Sequence, residues 1–276
     1  MYEASMSNFQ KIPGGPIAYW VTPSAIQSFQ NGRAIGTVAE TRKGMGTGNN
    51  ALFVRFWHEV CYHRLQLDCK SRYEAQTCKK KWFPYNDGGP FRKWYGNNES
   101  IVNWEDDGRE AKANAVIKNN GGHWSRYLVS LDYFFRTGLT WTAISSAKFS
   151  ARYFPEGFLF SSAGMCLFSD AVDQFLYLGF LNSSVSNYLL TFLSPTLNYG
   201  AGEVGRLPFI KIEKTDVLSN TVQDMVLLSR RDWDSFEASW DFQFFPWLNA
   251  PLKASTVGNS WQNWQTHCTN QIKRMQ

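Results

Sequence analysis

Long apolar runs are what this sequence most clearly lacks. Its richest hydrophobic window, around Phe175 and Phe180, is broken by Asn182 and Ser183, well short of the ~20 apolar residues a bilayer-spanning helix needs. No membrane partner is therefore expected. Residues 1–9 have neither the basic nor the apolar region of a secretory signal, and the chain is expected in the cytoplasm. Cysteine is scarce and odd in number, with five at Cys61, Cys69, Cys78, Cys166 and Cys268. That excludes the dense disulfide framework of a small secreted domain and argues for reduced thiols. Paired Cys-x-x-Cys spacing is missing, so the grouping of His58, Cys61, His63, Cys69 and Cys78 is a weak case for zinc. Nor does any acid sit where it would orient a Cys/His nucleophile. Charge is sparse, at 18% of residues, against 43% hydrophobic and 16% aromatic. Such a balance excludes disorder and supplies a large core, for one large domain or two smaller ones.

Short elements of both kinds are legible. Ile17 to Val21 has strand composition, and Thr22-Pro23 is an N-cap followed by proline at the first helical position. Gly44-Met45-Gly46-Thr47-Gly48-Asn49-Asn50 reads as a loop leading into an alternating strand from Ala51 to Trp57. From Lys79 to Trp104 cations, aromatics and turn residues mix without periodicity until a strand at Ile101 to Trp104. A polar helix from Asp106 to Asn119 then runs into the Asn119-Asn120-Gly121-Gly122 turn. Short β-prone runs follow at Leu139 to Ile144, Ala151 to Phe154 and Gly157 to Phe160. One or two core helices fit Phe175 to Phe192, and extended structure resumes at Leu207 to Ile210. In the tail, Ser229 with Asp232 suggests the start of a helix carrying Trp233, Phe236, Glu237 and Trp240, and a last helix starts at Trp261. No internal repeat is present. The expected fold is α+β, with short, mainly antiparallel strands and packed helices.

Methyl-transfer and nucleotide chemistry lack their usual elements. A glycine-rich strand-to-helix cradle and an Asn-Pro-Pro-aromatic element are both missing. The pattern Gly200-x-Gly202-x-x-Gly205 is read as a surface loop because Pro208 follows closely. Glu105, Asp106 and Asp107 are read as solvating a turn.

The formal charge of +5 is unevenly placed. Between Arg55 and Lys93 nine Lys/Arg face four acids, and the remainder of the chain is neutral. A concentration of this kind suits a polyanion, because each neutralised phosphate releases counterions; the alternative is a solvated face. Phosphates ask for Lys and Arg, and base edges ask for amide and guanidinium groups. Lys79, Lys80, Lys81 and Lys93 are candidates for phosphate contact, and Asn86, Arg92, Asn97 and Asn98 for base or sugar contact.

Several longer motifs carry a resemblance. NFQKIPGGPIAYW at 8–20, KGMGTGNN at 43–50 and RFWHEV at 55–60 are followed by KWFPYNDGG at 81–89 and FRKWYGNN at 91–98. GLTWTAISS at 138–146, FSARY at 149–153 and EASWDF at 237–242 complete the series. In this order they resemble the region that follows the catalytic part of the PglX family, the adenine-specific DNA methyltransferases of BREX phage-defence systems. The segment at 44–53 and LGFLNS at 178–183 also resemble TaqI-like target-recognition domains of restriction-modification enzymes, which pack beside a Rossmann-like catalytic domain and read the DNA site. The resemblance implies a DNA target-recognition domain over 1–228, followed by the start of a helical region over 229–276. It also implies a segment separated from its catalytic half, with S-adenosylmethionine bound there and not here, so that the chain is not an enzyme by itself. Implied partners are double-stranded DNA, a methyltransferase catalytic domain or subunit, and other BREX proteins. With the residues above, Lys43, Thr47, Asn49, Asn50, Arg55, Lys148 and Arg152 complete the expected DNA-binding set. The competing expectation is a protein-interaction module that docks BREX partners or a phage inhibitor without reading DNA.

Overall fold

The computed structural model describes residues 6–146, 148–210 and 215–274. In chain order, the first half contains α1 (Met6–Phe9), α2 (Pro23–Asn31), β1 (Arg33–Ala34), β2 (Glu40–Arg42), α3 (Asn50–Phe53), β3 (Val54–Phe56), α4 (Arg72–Thr77), β4 (Trp82–Asn86), β5 (Ser100–Asn103) and α5 (Glu105–Lys118). The second contains β6 (Gly138–Thr142), β7 (Ala151–Phe154), β8 (Leu159–Phe160), β9 (Gly164–Phe168), α6 (Ala171–Leu181), α7 (Ser184–Leu193), α8 (Ala201–Gly205), β10 (Pro208–Phe209), α9 (Thr215–Trp233) and α10 (Val257–Arg274). The strands form two four-stranded sheets, β2-β9-β6-β7 and β3-β5-β4-β8, and a small β1-β10 ribbon. All pairings are antiparallel except β4 with β8. The architecture is α+β, as the composition of short strands and scattered helices predicts.

The β2-β9-β6-β7 sheet separates two cores. Its register places Leu139, Trp141, Ala151, Met165 and Leu167 on one face, where they join Tyr177, Leu178 and Leu181 of α6, Leu189 and Leu190 of α7, and Val222 and Val226 of α9. The alternate residues Phe154, Cys166 and Phe168 face the other way, into a core shared with Phe83, Tyr85, Val102, Trp104 and Phe160. Period-two alternation thus feeds both cores from one sheet. Close approach of α6 to α9 rests on Gly179, where an added Cβ would lie 2.9 Å from Val222 Cγ2.

Local signals explain many of the boundaries. Thr22 Oγ1 accepts from Ala25 N at 3.3 Å, with Pro23 opening α2, and Ser183 Oγ accepts from Ser186 N at 3.2 Å to start α7. The left-handed residues Asp106, Asp107 and Gly108 (φ 55°, 52° and 77°) lead into α5, so its regular turns begin after Gly108.

Five expectations are corrected. Residues 17–21 form no strand, and Ile17, Tyr19 and Trp20 stand exposed. The strand expected at 51–57 begins with the helical turn α3, because Asn49 caps it. Within the aperiodic stretch after Lys79 lies β4, buried at every position; covered on both faces, it has no polar side to alternate with. The Gly200-x-Gly202-x-x-Gly205 stretch is the short helix α8, whose Gly205 packs beside Gly36 and Thr41. Ser229 starts no helix. It sits inside α9, its hydroxyl bonded to the carbonyls of Lys93 (3.2 Å) and Tyr95 (3.1 Å), so burial against the 93–95 turn outweighs its capping tendency. Among the described residues no helix is long and apolar enough to cross a membrane.

Candidate nucleic-acid interface

The 43–50 loop is built on the second core. Met45 is fully buried, its N–H donates to Phe160 O at 3.0 Å, and its carbonyl accepts from Ser162 N at 3.1 Å. Gly44 is required there, because an added Cβ would collide with the carbonyl oxygen of Phe160 and lie 2.5 Å from its carbonyl carbon. Beyond Met45 the chain turns outward. Gly46 N donates to Tyr127 O at 2.8 Å, and Ser130 Oγ donates to Lys43 O at 2.8 Å, so the 119–130 segment lies alongside. Thr47 Oγ1 accepts from Asn49 N at 3.2 Å and donates to Asn50 Oδ1. Asn49 Oδ1 caps α3 by accepting from Leu52 N at 3.2 Å. From α5, Asn114 Nδ2 donates to Thr47 O at 3.0 Å and Lys118 Nζ donates to Gly48 O.

Glu110, Asn114 and Lys118 are four residues apart and so line one side of α5. Glu110 pairs with Lys81 at 3.8 Å, which sets Lys81 and the 43–50 loop along the same ridge. Asn49 and Asn50 are exposed, as are Lys43, Lys118 and Arg126. None of these three cations forms an ion pair among the described residues. Arg126 reaches only Asn119 Oδ1, at 3.3 Å. Lys118 and Arg126 are not among the residues expected from sequence: both lie far along the chain from residues 43–50, and it is the fold that brings α5 and the 119–130 segment alongside that loop.

The other expected residues are divided. Lys79 is exposed in a left-handed conformation (φ 55°), and Lys80 Nζ donates to His63 O at 2.5 Å. Arg55 is turned back onto the carbonyls of Ala51 and Val54, each at 2.6 Å. Buried β4 lies between these cations and Arg92 and Lys93 in the chain, so residues 79–93 are not exposed throughout. Arg92 pairs with Asp232 at 2.5 Å and covers the Trp233 ring. Lys93 Nζ donates to Asn182 O at 2.8 Å; burial and then the nearby Lys148, itself exposed, hold its ammonium below the usual lysine range. Asn97 Nδ2 donates to Pro90 O at 2.9 Å. Thr47, Asn86, Asn98 and Arg152 are buried. Arg152 is 1% exposed, reaches Gly88 O at 3.4 Å, and is pushed by burial down to about 10. An interior guanidinium of this kind is part of the scaffold and cannot touch a duplex lying on the surface.

α5 is anchored by Asp107, which takes Arg72 at 2.6 Å and Lys112 at 2.8 Å. Burial raises its carboxyl, but the bonds from Arg72 and Lys112 outweigh that and leave it below the ordinary value of 3.8. A depressed carboxyl stabilises the fold above the unfolded-state value and loses that contribution as pH falls through the folded one. Acid unfolding followed by circular dichroism is therefore expected to begin at lower pH in the parent than in Asp107→Asn, which lacks the ion pairs at every pH. Equal stability at pH 7 would contradict this. Among the described residues no group of three or more His, Cys, Asp or Glu is placed to hold a metal ion.

Comparison with known proteins gives the site its setting. The whole chain is 38% identical, over 281 aligned residues, to the adenine-specific methyltransferase PglX of Lacticaseibacillus casei (strain Zhang), of which it covers 23%. Over 240 residues, 86% of the chain, it is 38% identical to the adenine-specific methyltransferase BrxX of Escherichia coli O9:H4 (strain HS), covering 18% of that protein. No protein-family model matches the chain. The chain is thus similar to a segment of these two adenine-specific methyltransferases and spans no more than about a quarter of the length of either.

Proposed function

We propose that this chain is a DNA target-recognition segment of a BREX-type adenine-specific methyltransferase, and that methyl transfer and S-adenosylmethionine binding reside in a separate catalytic domain on which it docks. Residues 1–228 carry recognition and 229–276 begin a helical region; α9 is continuous through this division. The observation that supports the reading best is the packing of α5 and the 119–130 segment against the 43–50 loop, which gathers Lys43, Lys118 and Arg126, none with a carboxylate partner among the described residues, and the exposed Asn49 and Asn50 onto adjoining segments. Phosphate contacts from such cations give affinity, and amides at the loop tip give discrimination. Lys79, Lys80 and Lys81 extend the cationic edge along α5.

A test replaces Lys43 and Arg126 together by glutamine and measures duplex binding by fluorescence anisotropy at several salt concentrations. Affinity is expected to fall for all sequences alike, with the slope of log K against log salt reduced by about 1–2. Lys273→Gln with Arg274→Gln on α10 serves as control. If only the α10 pair weakens binding, the function lies elsewhere on the molecule.

A second reading, docking of a protein partner, is favoured by a different part of the surface. There a cleft of about 820 Å³ opens between the 91–94 turn, α9 and α10, lined by Phe91, Trp94, Phe244, Trp264 and Ile272.

A further inference from the structure

Hydrogen bonds within the 43–50 loop leave its tip chemically one-sided. Every backbone carbonyl from Thr47 to Asn50 already accepts a bond: Thr47 O from Asn114, Gly48 O from Lys118, Asn49 O from Leu52 N and Phe53 N at 3.1 Å each, and Asn50 O from Val54 N. The two side-chain carbonyls are engaged as well, Asn49 Oδ1 by Leu52 N and Asn50 Oδ1 by the Thr47 hydroxyl. Because a backbone N–H can donate only to oxygen here, the Leu52 bond fixes which way the Asn49 amide points. Both asparagines are exposed, and the Nδ2 group of neither meets an acceptor among the described residues. Lys118, seated on Gly48 O, adds a donor and no acceptor.

An asparagine free in solution both donates and accepts, which lets it form a bidentate pair with adenine N6 and N7. With each side-chain carbonyl turned toward an intramolecular donor, that pairing would require the oxygen to share or give up the bond it already holds. We propose that the tip of this loop is a donor-only reader. Asn49 Nδ2 and Asn50 Nδ2 would recognise acceptor atoms on base edges, the N7 and O6 of guanine, the N7 of adenine and the O4 of thymine in the major groove, and would not pair with the amino groups of adenine or cytosine. This rests on the DNA-recognition reading above and adds which edge chemistry the loop accepts. The buried hydroxyl of Thr47 is a positioning group, since it holds the Asn50 carbonyl away from the duplex.

The test uses the full chain and a pool of randomised duplexes, from which bound molecules are sequenced. The enriched duplex is then remade with 7-deazapurines, which lack the N7 acceptor, at each purine in turn, and with 2-thiothymine and 4-thiothymine at each thymine. Asn49→Ser keeps an N-cap oxygen and removes the amide donor, as Asn50→Ser does at the second position, each leaving only a shorter hydroxyl; both are neutral, and thermal melts confirm that they fold. At one or two base positions the atomic substitution is expected to weaken parent binding about tenfold, the size of a single base contact. At those positions the matching serine variant should be weakened already and lose little more. Thr47→Val is expected to broaden the selected sequences, because the freed Asn50 carbonyl can then accept from amino groups.

A parent that binds duplex with unchanged selectivity in both serine variants overturns the inference while leaving DNA recognition standing. So does a loss of affinity equal for every sequence, which would make these amides phosphate contacts. A parent that binds no duplex at any salt removes the reading on which the inference rests.

Discussion

Asn182→Ala is expected to lower the unfolding free energy by about 3 kcal/mol, from two buried hydrogen bonds and the space left behind. Asn182 is 3% exposed and acts as a missing strand for β7: its Oδ1 accepts from Ala151 N and its Nδ2 donates to Ala151 O, both at 2.9 Å. Its own carbonyl holds Lys93 at 2.8 Å. The alanine variant leaves the Ala151 N–H buried without a partner, whereas Ala151 O retains Trp94 N at 2.9 Å. A fall in melting temperature of roughly 5–10 °C is expected for a domain of this size. Asn182→Asp should be at least as damaging, since it keeps one bond, breaks the other and buries a charge. A change under about 1 kcal/mol in either variant would contradict this role.

Gly44→Ala is expected to have the second large effect, and to act on both stability and binding. The added methyl group meets backbone at Phe160, which no side-chain rotation can relieve, so either the loop or β8 must move. Overpacking of this kind costs about 1–3 kcal/mol. Displacement of the loop breaks the Met45–Phe160 bond and shifts Asn49 and Asn50, so duplex binding should be lost at temperatures where the variant remains folded. Gly46 provides the contrast, because a Cβ there has no atom within 4 Å. Gly46→Ala should melt and bind like the parent. Equal melting curves for Gly44→Ala and Gly46→Ala would remove the anchoring role given to Gly44.

These two residues show what the sequence makes legible. The α+β class, α2 with its Thr22 cap, the β6–β7 hairpin strands and the paired helices α6 and α7 all follow from local patterns, because capping, alternation and turn residues act within a few positions. The strands β4 and β9 carry no such pattern. Both are buried throughout, and a strand covered on both faces is recognised only by what packs on it. Ser229 misleads for a related reason, since a hydroxyl that suits a helix start also serves a helix interior when two carbonyls from a distant turn lie against it.

The candidate interface was legible in part. Lys43, Thr47, Asn49 and Asn50 were expected with the resemblance of the 43–50 segment to target-recognition domains; Lys43, Asn49 and Asn50 are exposed and Thr47 is buried. Charge counting along the chain gives no sign of the buried strand that interrupts residues 79–93. Arg152 is the clearest example: the side chain type suits phosphate, but the sheet turns it inward. Lys118 and Arg126 were missed because their partner loop is some 70 residues away in sequence, at Gly48 for Lys118.

The most direct test of the central claim is the salt dependence of duplex binding by the unmodified chain. Titration into labelled duplex DNA between roughly 50 and 200 mM salt should give an affinity that falls steeply and linearly on logarithmic axes, with a slope corresponding to about three or more phosphate contacts. Competition by unrelated sequences should be measurably weaker than by the selected one. Affinity that is flat across that range, or absent at its lowest salt, would contradict the account.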